Sequence, residues 1–445
     1  MTPANKVTSY KQIKRNGYLR VLTRNNPVTY YVDRDGVEAG FEYDLVTAFA
    51  ENAGLESRFI VKSSVGGVLR GLASGEGDIA VPGLSITDER ERRFLFGPAY
   101  KEVSKQLVCR RGGVKPKNLQ QLQREDLHVA AGSSYEMRLN KLKNEHPDLE
   151  WTAAEGVSAE DLLKKVWERD VGCTIVDSSI LAINQRYYPE LKIRFPVGDT
   201  DSVAWAMPRG AEDLQTAVAQ WYRGFSEQGG MASLQERYYG HVDIFDYVDT
   251  SKFIRRIVSR YPHVRPHFQK AANNFRLPET LLASQSYQES HWNPYATSPT
   301  GVRGIMMLTL NTAKSVGVKD RLSIEQSVSG GAQYLAQLRT TFSRTITEPD
   351  LTWFALAAYN IGLGHIRDAQ TLARKMKLNP TKWHDLKEVL PLLSQRQHYK
   401  TLRYGYARGS EPVRYVQRIR EYEQILAQQL GILAAANIQG SNLEL

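Results

Sequence analysis

The apolar period of this chain changes near residue 241, and that change limits the folds open to it. From residue 17 to 240, strand-like runs alternate with helix-like ones: YLRVLT, then YDLVTAFAENAG closed by Gly54, then SRFIVK, VGGVLRGLASG and GDIAVPGLS. This alternation predicts a mostly parallel sheet with helices on both faces. A second set follows in LHVAAGSS, AEDLLKKVWERD and GCTIVDSS, and the chain returns through DSVAWAMPRG. Two such units with a return crossing predict two lobes, the second covering about residues 110–195. Beyond 250 nearly every segment has helical period, so residues 251–445 are expected to form an all-α domain. Residues 1–16 read as a tail. HVDIFDYVDT, residues 241–250, reads as a short acidic-aromatic connector without Gly or Ser. No internal repeat is visible.

Composition narrows the function. The formal net charge is +10, which draws a protein toward anionic polymers or surfaces. The Lys and Arg are scattered, with neither zinc-finger spacing nor a groove-reading basic helix, so no nucleic-acid partner is expected. No run of eighteen apolar residues is present, and MTPANKVTSYKQ has no apolar signal core. Either the chain is cytosolic or a secretion signal has been removed. Cys109 and Cys173 both lie in apolar stretches, where burial as small core residues and pairing as a disulfide both remain open. Two cysteines without companion histidines form no metal site, and no cofactor is expected.

One glutamate in the helical half stands out. In PETLLASQSYQESHWNPYATSPTGVRGIMMLT, Pro278 suits a first helical turn and Asn293-Pro294 ends the helix. Leu282, Ser286 and Glu289 fall at i, i+4 and i+7, so Glu289 shares the face of Leu282. A carboxyl at the inward end of a helix loses hydration and its pKa rises, as a general acid requires. Pro299, Gly301 and Gly304 then favour a loop folded closely beside a groove.

Three motifs in order carry a resemblance. They are Glu289-Ser290-His291-Trp292-Asn293-Pro294, Ser298-Pro299-Thr300-Gly301-Val302-Arg303-Gly304-Ile305-Met306, and Ala358-Tyr359-Asn360-Ile361-Gly362. Together they resemble the lytic transglycosylase domain related to goose-type lysozyme. A fourth element matches only at Glu411, Tyr415 and Val416, with Pro412 and Val413 in place of the family's Thr and Arg. The resemblance implies a lysozyme-like all-α fold with Glu289 as acid and base. It places Ser290, Ser298, Met306, Met307, Tyr359, Asn360 and Tyr415 along a substrate groove. Met307 stands where many members have glutamine, and a thioether cannot hydrogen-bond sugar as an amide does. The G-x-M-M-L-T form is similar to the membrane-bound lytic murein transglycosylase F branch, whose members also carry an N-terminal solute-binding domain.

The implied chemistry uses a single carboxyl where ordinary glycosidases use two. Glu289 would protonate the oxygen between N-acetylmuramic acid and N-acetylglucosamine. The muramyl 2-acetamido group would stabilise the anomeric carbon. Glu289 would then take the proton of the C6 hydroxyl as a 1,6-anhydro ring closes. A water-using muramidase of goose-lysozyme type is the rival enzyme reading, and a wall-anchored solute-binding protein the rival from another class.

Gly40–Leu45 (GFEYDL) and Gly77–Tyr100 resemble the periplasmic amino-acid-binding proteins, family 3 of the solute-binding proteins, over roughly residues 17–240. This implies a bilobal clamshell of periplasmic-binding-protein type. Gly83, Ser85 and Arg90 match the stretch that binds the ligand α-carboxylate, and a guanidinium fork suits that geometry. Ser133 and Ser134 take the matching second-lobe positions, Asp177 that of the ammonium partner, and Tyr30 or Tyr31 an aromatic wall. The resemblances together imply a periplasmic protein peripheral to the outer membrane of a Gram-negative bacterium. Its expected partners are peptidoglycan glycan strands and, at the clamshell, an amino acid or cell-wall peptide.

Overall fold

A computed structural model describes residues 7–26, 29–32, 37–122, 124, 126–240, 247–298 and 301–441, with the backbone alone for 432–441. The chain divides into two compact units, Met1–Tyr238 and Tyr239–Leu445.

The first unit contains two five-stranded sheets. One runs in the order Glu56–Lys62, Tyr18–Arg24, Ile79–Ala80, Ala206–Pro208, Phe94–Phe96. The first three strands are parallel, and Ala206–Pro208 is antiparallel to both its neighbours. The second sheet runs Leu191–Val203, Lys101–Arg110, Cys173–Asp177, Leu127–Ala130, Thr152–Ala154. Its first two pairings are antiparallel and its last two parallel. The sheets are therefore more mixed than the alternating pattern predicts. The antiparallel pairs are made by the strands on either side of the two crossings, Lys101–Arg110, Leu191–Val203 and Ala206–Pro208. The second lobe also spans about residues 101–203, wider than 110–195, because the long strands on either side of the crossing belong to its sheet.

Two further boundaries differ from the sequence reading. Tyr10–Asn16 is not tail but a helix, N-capped by the Ser9 hydroxyl and closed by Gly17 at φ 77°, with Ile13 buried. Residues 247–250 open the helix Tyr247–Ser259, where Thr250 is buried and Asp249 accepts a hydrogen bond from Tyr422. Residues 241–246 of the expected connector lie outside the described residues.

The second unit is helical. Asp350–Ile361 runs through its centre, with every residue from Trp353 to Ala358 buried. Ile324–Phe342 and the long final helix Ser410–Ser441 pack against it. Ser410–Ser441 also packs against Glu279–Ser290, the helix that carries Glu289. Among the described residues, no helix is long and apolar enough to cross a membrane.

Cys109 and Cys173 are cross-strand partners in the second sheet and form a disulfide. Both are fully buried beside Leu107, Leu127 and Val166. The bond closes a loop between residues 64 apart, which in the chain-entropy account contributes about 4 kcal/mol. We predict that Cys109→Ser with Cys173→Ser lowers the denaturation midpoint of the first unit and leaves the helical unit unchanged. Coincident midpoints for parent and double variant would contradict this.

Candidate functional site

The helix Glu279–Ser290 buries its whole middle, Thr280–Tyr287, so only its last turn can face a groove. It stops at Ser290, three residues before the expected Asn293-Pro294 break. His291 and Trp292 adopt left-handed φ of 54° and 58°, a conformation that costs side-chain-bearing residues. Packing holds the turn: Trp292 is 2% exposed and its indole N–H donates to the Ala283 carbonyl at 2.8 Å. Glu289 is thereby fixed in the terminal turn.

The Glu289 carboxylate accepts a hydrogen bond from the Tyr415 hydroxyl at 2.5 Å. Burial pushes this carboxyl up to about 7, and the Tyr415 bond, which favours the charged form, pulls part of the way back. No charged side chain contributes to that shift. Tyr415 in turn accepts from the Gln285 side-chain amide at 3.2 Å. Burial raises the phenols of Tyr415 and Tyr359 well above the usual tyrosine value, so both act as neutral donors. The Tyr359 hydroxyl donates to the Met306 carbonyl at 3.0 Å, fixing the loop beside it.

That loop is held from several sides. The Ser290 hydroxyl donates to the carbonyls of Ile305 and Ser286 and accepts from the Asn293 N–H. Its hydrogen-bonding capacity serves the loop. Ser298 accepts from the Val302 N–H, and Pro299 and Thr300 lie outside the described residues. Gly304 has φ 84°, and a Cβ there would meet the Arg321 carbonyl at 1.8 Å, so only glycine fits. Met306 is fully buried against Gly331, and its N–H donates to Ser327. Its side chain is core and not groove, because the tight turn at Gly304 points it inward. Met307 is half-buried at φ 47°, and Asn360 is exposed at the helix end next to Tyr359. Glu411, the other carboxylate in these motifs, lies exposed and paired with Arg408. Gln285 is the participant that the motifs miss; its i−4 spacing from Glu289 is the signal that could have found it.

In the first unit a cavity opens between the lobes. Gly83, Ser85 and Arg90 line it from one lobe, Ser133, Ser134 and Asp177 from the other. In the run Asp88-Glu89-Arg90-Glu91, Asp88 and Glu89 are exposed and Arg90 is buried. Its guanidinium donates to the Ser85 carbonyl at 2.9 Å, while Nε has no partner. Asp177 occupies the N-cap position of Ser178–Asn184 but makes no capping bond with its side chain, and Oδ1 has no partner. Burial pushes its carboxyl up to about 6, against the opposing pull of Lys105. A buried cation and a buried anion, each with unused hydrogen-bonding capacity, suit a zwitterion.

Tyr30 is not brought to this cavity. It is buried against Phe59 and Tyr43, and its hydroxyl donates to Glu38 at 2.5 Å, so its apolar ring follows the core. Tyr135 lines the cavity instead, its hydroxyl accepting from the Asp177 N–H. Two further residues were missed. Glu42, fully buried, accepts from the Gly83 N–H at 2.8 Å and fixes the loop that lines the cavity there. Arg24 lines the cavity and reaches Glu160 of the opposite lobe through two hydrogen bonds of 3.1 Å. A basic residue ending an apolar strand was the only available signal.

Comparison with known proteins gives two family matches. Residues 19–241 match "Bacterial extracellular solute-binding proteins, family 3", and residues 266–381 match "Transglycosylase SLT domain". "Membrane-bound lytic murein transglycosylase F" of Maricaulis maris (strain MCS10) is 44% identical over 417 residues, covering 94% of this chain and 91% of that one. The protein of the same name from Aliivibrio fischeri is 44% identical over 420 residues, 94% of this chain and 84% of its own. Among solved structures, an ArgBP mutant from T. maritima is 21% identical and covers 52% of this chain and 98% of its own, with a TM-score of 0.47.

Two outcomes follow from the geometry at Glu289. Tyr415→Phe removes a bond that favours the ionised carboxylate, so the Glu289 titration should move upward from about 7. Carbon-detected NMR of the side-chain carboxyl checks this, and a downward or absent shift would contradict it. A carboxyl raised from 4.5 to about 7 on folding destabilises the protein progressively as pH rises between those values, and by a constant amount above. Glu289→Gln should therefore be more stable than the parent above neutral pH, by up to ~3 kcal/mol, with the difference disappearing in acid. Equal denaturation midpoints at pH values either side of neutrality would sink that account.

Proposed function

We propose, from the premise that the chain belongs to the membrane-bound lytic murein transglycosylase F family, that its enzyme activity is non-hydrolytic and centred on Glu289. Family membership makes the chain a peptidoglycan lytic transglycosylase. The observation that carries the finer reading is one desolvated carboxyl attended only by neutral groups. At about 7 its pKa lets it both hold and accept a proton near neutrality.

The proposed sequence runs through that one group. Glu289 gives its proton to the oxygen linking N-acetylmuramic acid to N-acetylglucosamine, and the C1–O bond breaks. The muramyl 2-acetamido oxygen stabilises the positive charge at C1. The Glu289 carboxylate, steadied by Tyr415, takes the proton of the C6 hydroxyl as O6 bonds to C1. Glu289 ends protonated and the product ends in a 1,6-anhydro ring. Glu411 takes no part, because its carboxylate is exposed and paired with Arg408.

The solute-binding unit is proposed to sense an amino acid or cell-wall peptide through Arg90 and Asp177 and to set the rate of cleavage. The periplasm, at the inner face of the outer membrane, is the proposed location. An oxidised, buried Cys109–Cys173 pair favours an oxidising compartment.

Two measurements test this reading. Glu289→Gln should lower turnover by roughly three or more powers of ten, since acid and base are lost together, while the parent releases muropeptides lighter by one water than reducing-end products. Reducing ends from the parent would replace the lyase reading with a muramidase. Calorimetry of the parent with free amino acids and muropeptides should find a ligand that also alters the cleavage rate, and Arg90→Ala should lose both effects while keeping basal cleavage. Binding without any change in rate would leave the first unit a scaffold.

A further inference from the structure

The Lys and Arg are scattered over the chain as a whole, but between Arg374 and Arg408 acids are few enough that nine Lys and Arg stand against two. Arg396, Lys400 and Arg403 are exposed, and none pairs with an acid among the described residues. Lys375 reaches the hydroxyl of Thr401, which joins the end of the helix Leu363–Lys375 to this segment. In the same stretch two rings are exposed beside these cations, Tyr404 at 44% and Tyr406 at 57%.

This surface is built rather than loose. Asp368 is 3% exposed, and its two carboxylate oxygens accept the backbone N–H groups of Arg403 and Tyr404, at 3.1 and 2.7 Å. A buried carboxylate thus fixes the backbone of the two residues that present the charge and the ring. The Tyr404 ring lies over Gly364, where a Cβ would meet its Cδ1 at 2.7 Å, and beside His365 with ring centroids 6.2 Å apart. The Arg403 guanidinium lies 5.5 Å from the centre of that ring. Gly364 follows Tyr359, the neighbour of Glu289, by five residues. At full extension that is at most about 18 Å, within reach of one bound strand.

We propose that Lys400, Arg403 and Tyr404 form a docking shelf beside the groove for the peptide-bearing, anionic part of the glycan strand. The proposal rests on the transglycosylase reading of Glu289 and adds a position where the strand is held. The apolar face of a sugar ring lies on Tyr404, and the free carboxylates of the peptide branches meet Lys400 and Arg403. Asp368 is a positioning residue. An anionic membrane could also meet exposed cations, but the shelf's closeness in sequence to Tyr359 and the fixed backbone that presents Arg403 and Tyr404 favour the strand.

The test compares soluble glycan strands with their peptides attached and the same strands after amidase has removed them. Lys400→Glu with Arg403→Glu should raise KM for peptide-bearing strands about threefold to tenfold, leave kcat unchanged and leave peptide-free strands unaffected. Added salt should shrink the difference. Tyr404→Ala should raise KM for both strands, and Tyr404→Phe should behave as the parent. Unchanged KM values in the charge-reversal and Tyr404→Ala variants would overturn the proposal. So would charge reversal that releases the protein from vesicles of phosphatidylglycerol while KM stays constant, because the surface would then belong to a membrane. A parent that yields no anhydro ends would instead defeat the underlying reading of Glu289.

Discussion

The bond between Tyr415 and the desolvated carboxyl of Glu289 is the constraint on which the helical unit depends. Its two partners are 126 residues apart in sequence, one in the last turn of Glu279–Ser290 and the other near the start of Ser410–Ser441. Bringing them together requires those helices to pack directly, which they do. The carboxyl must also be kept from water and from other charges. The strained turn at His291 and Trp292, locked by the buried indole, ends the helix just past Glu289, and the glycine-dependent turn at Gly304 shapes the loop whose Ile305 carbonyl accepts from Ser290. Burial that raises the Glu289 carboxyl to about 7 would cost stability at neutral pH.

The same logic operates in the first unit with a different outcome. Arg90 and Asp177 are buried with atoms that lack partners, so this site is incomplete by itself. Burial of a charge without its partners is costly, and a zwitterionic ligand would relieve both ends at once. Glu42 and Ser85 hold one side of the cavity, Tyr135 the other, and Arg24–Glu160 already spans the lobes. The cross-strand disulfide stiffens the sheet whose central strand ends at Asp177.

Much of this was legible in the sequence where a local rule governs it. The change of period near residue 241 separates the units, and ordered motifs single out Glu289, Tyr359 and Tyr415. Arg90 was legible only through resemblance, because its own neighbourhood is a charge run in which nothing local marks the one inward residue. Long-range packing hid the rest. Whether Cys109 and Cys173 pair depends on strand register, not on spacing. Met306 sits in a groove motif, yet its side chain is core because Gly304 turns it inward. Tyr30 lies near the expected ligand loop, yet its ring follows the aromatic cluster of Tyr43 and Phe59. Gln285 and Glu42 act through partners distant in sequence, and no motif marks either.

The central claim is that one carboxyl, without a second and without water, carries the whole reaction. Cleavage of purified peptidoglycan in water enriched in heavy oxygen tests it most directly. If O6 of the sugar closes the ring under Glu289, mass spectrometry will find no heavy oxygen at the newly formed muramyl ends. Heavy oxygen at those ends would mean that water attacks the anomeric carbon, and the single-carboxyl account would be wrong.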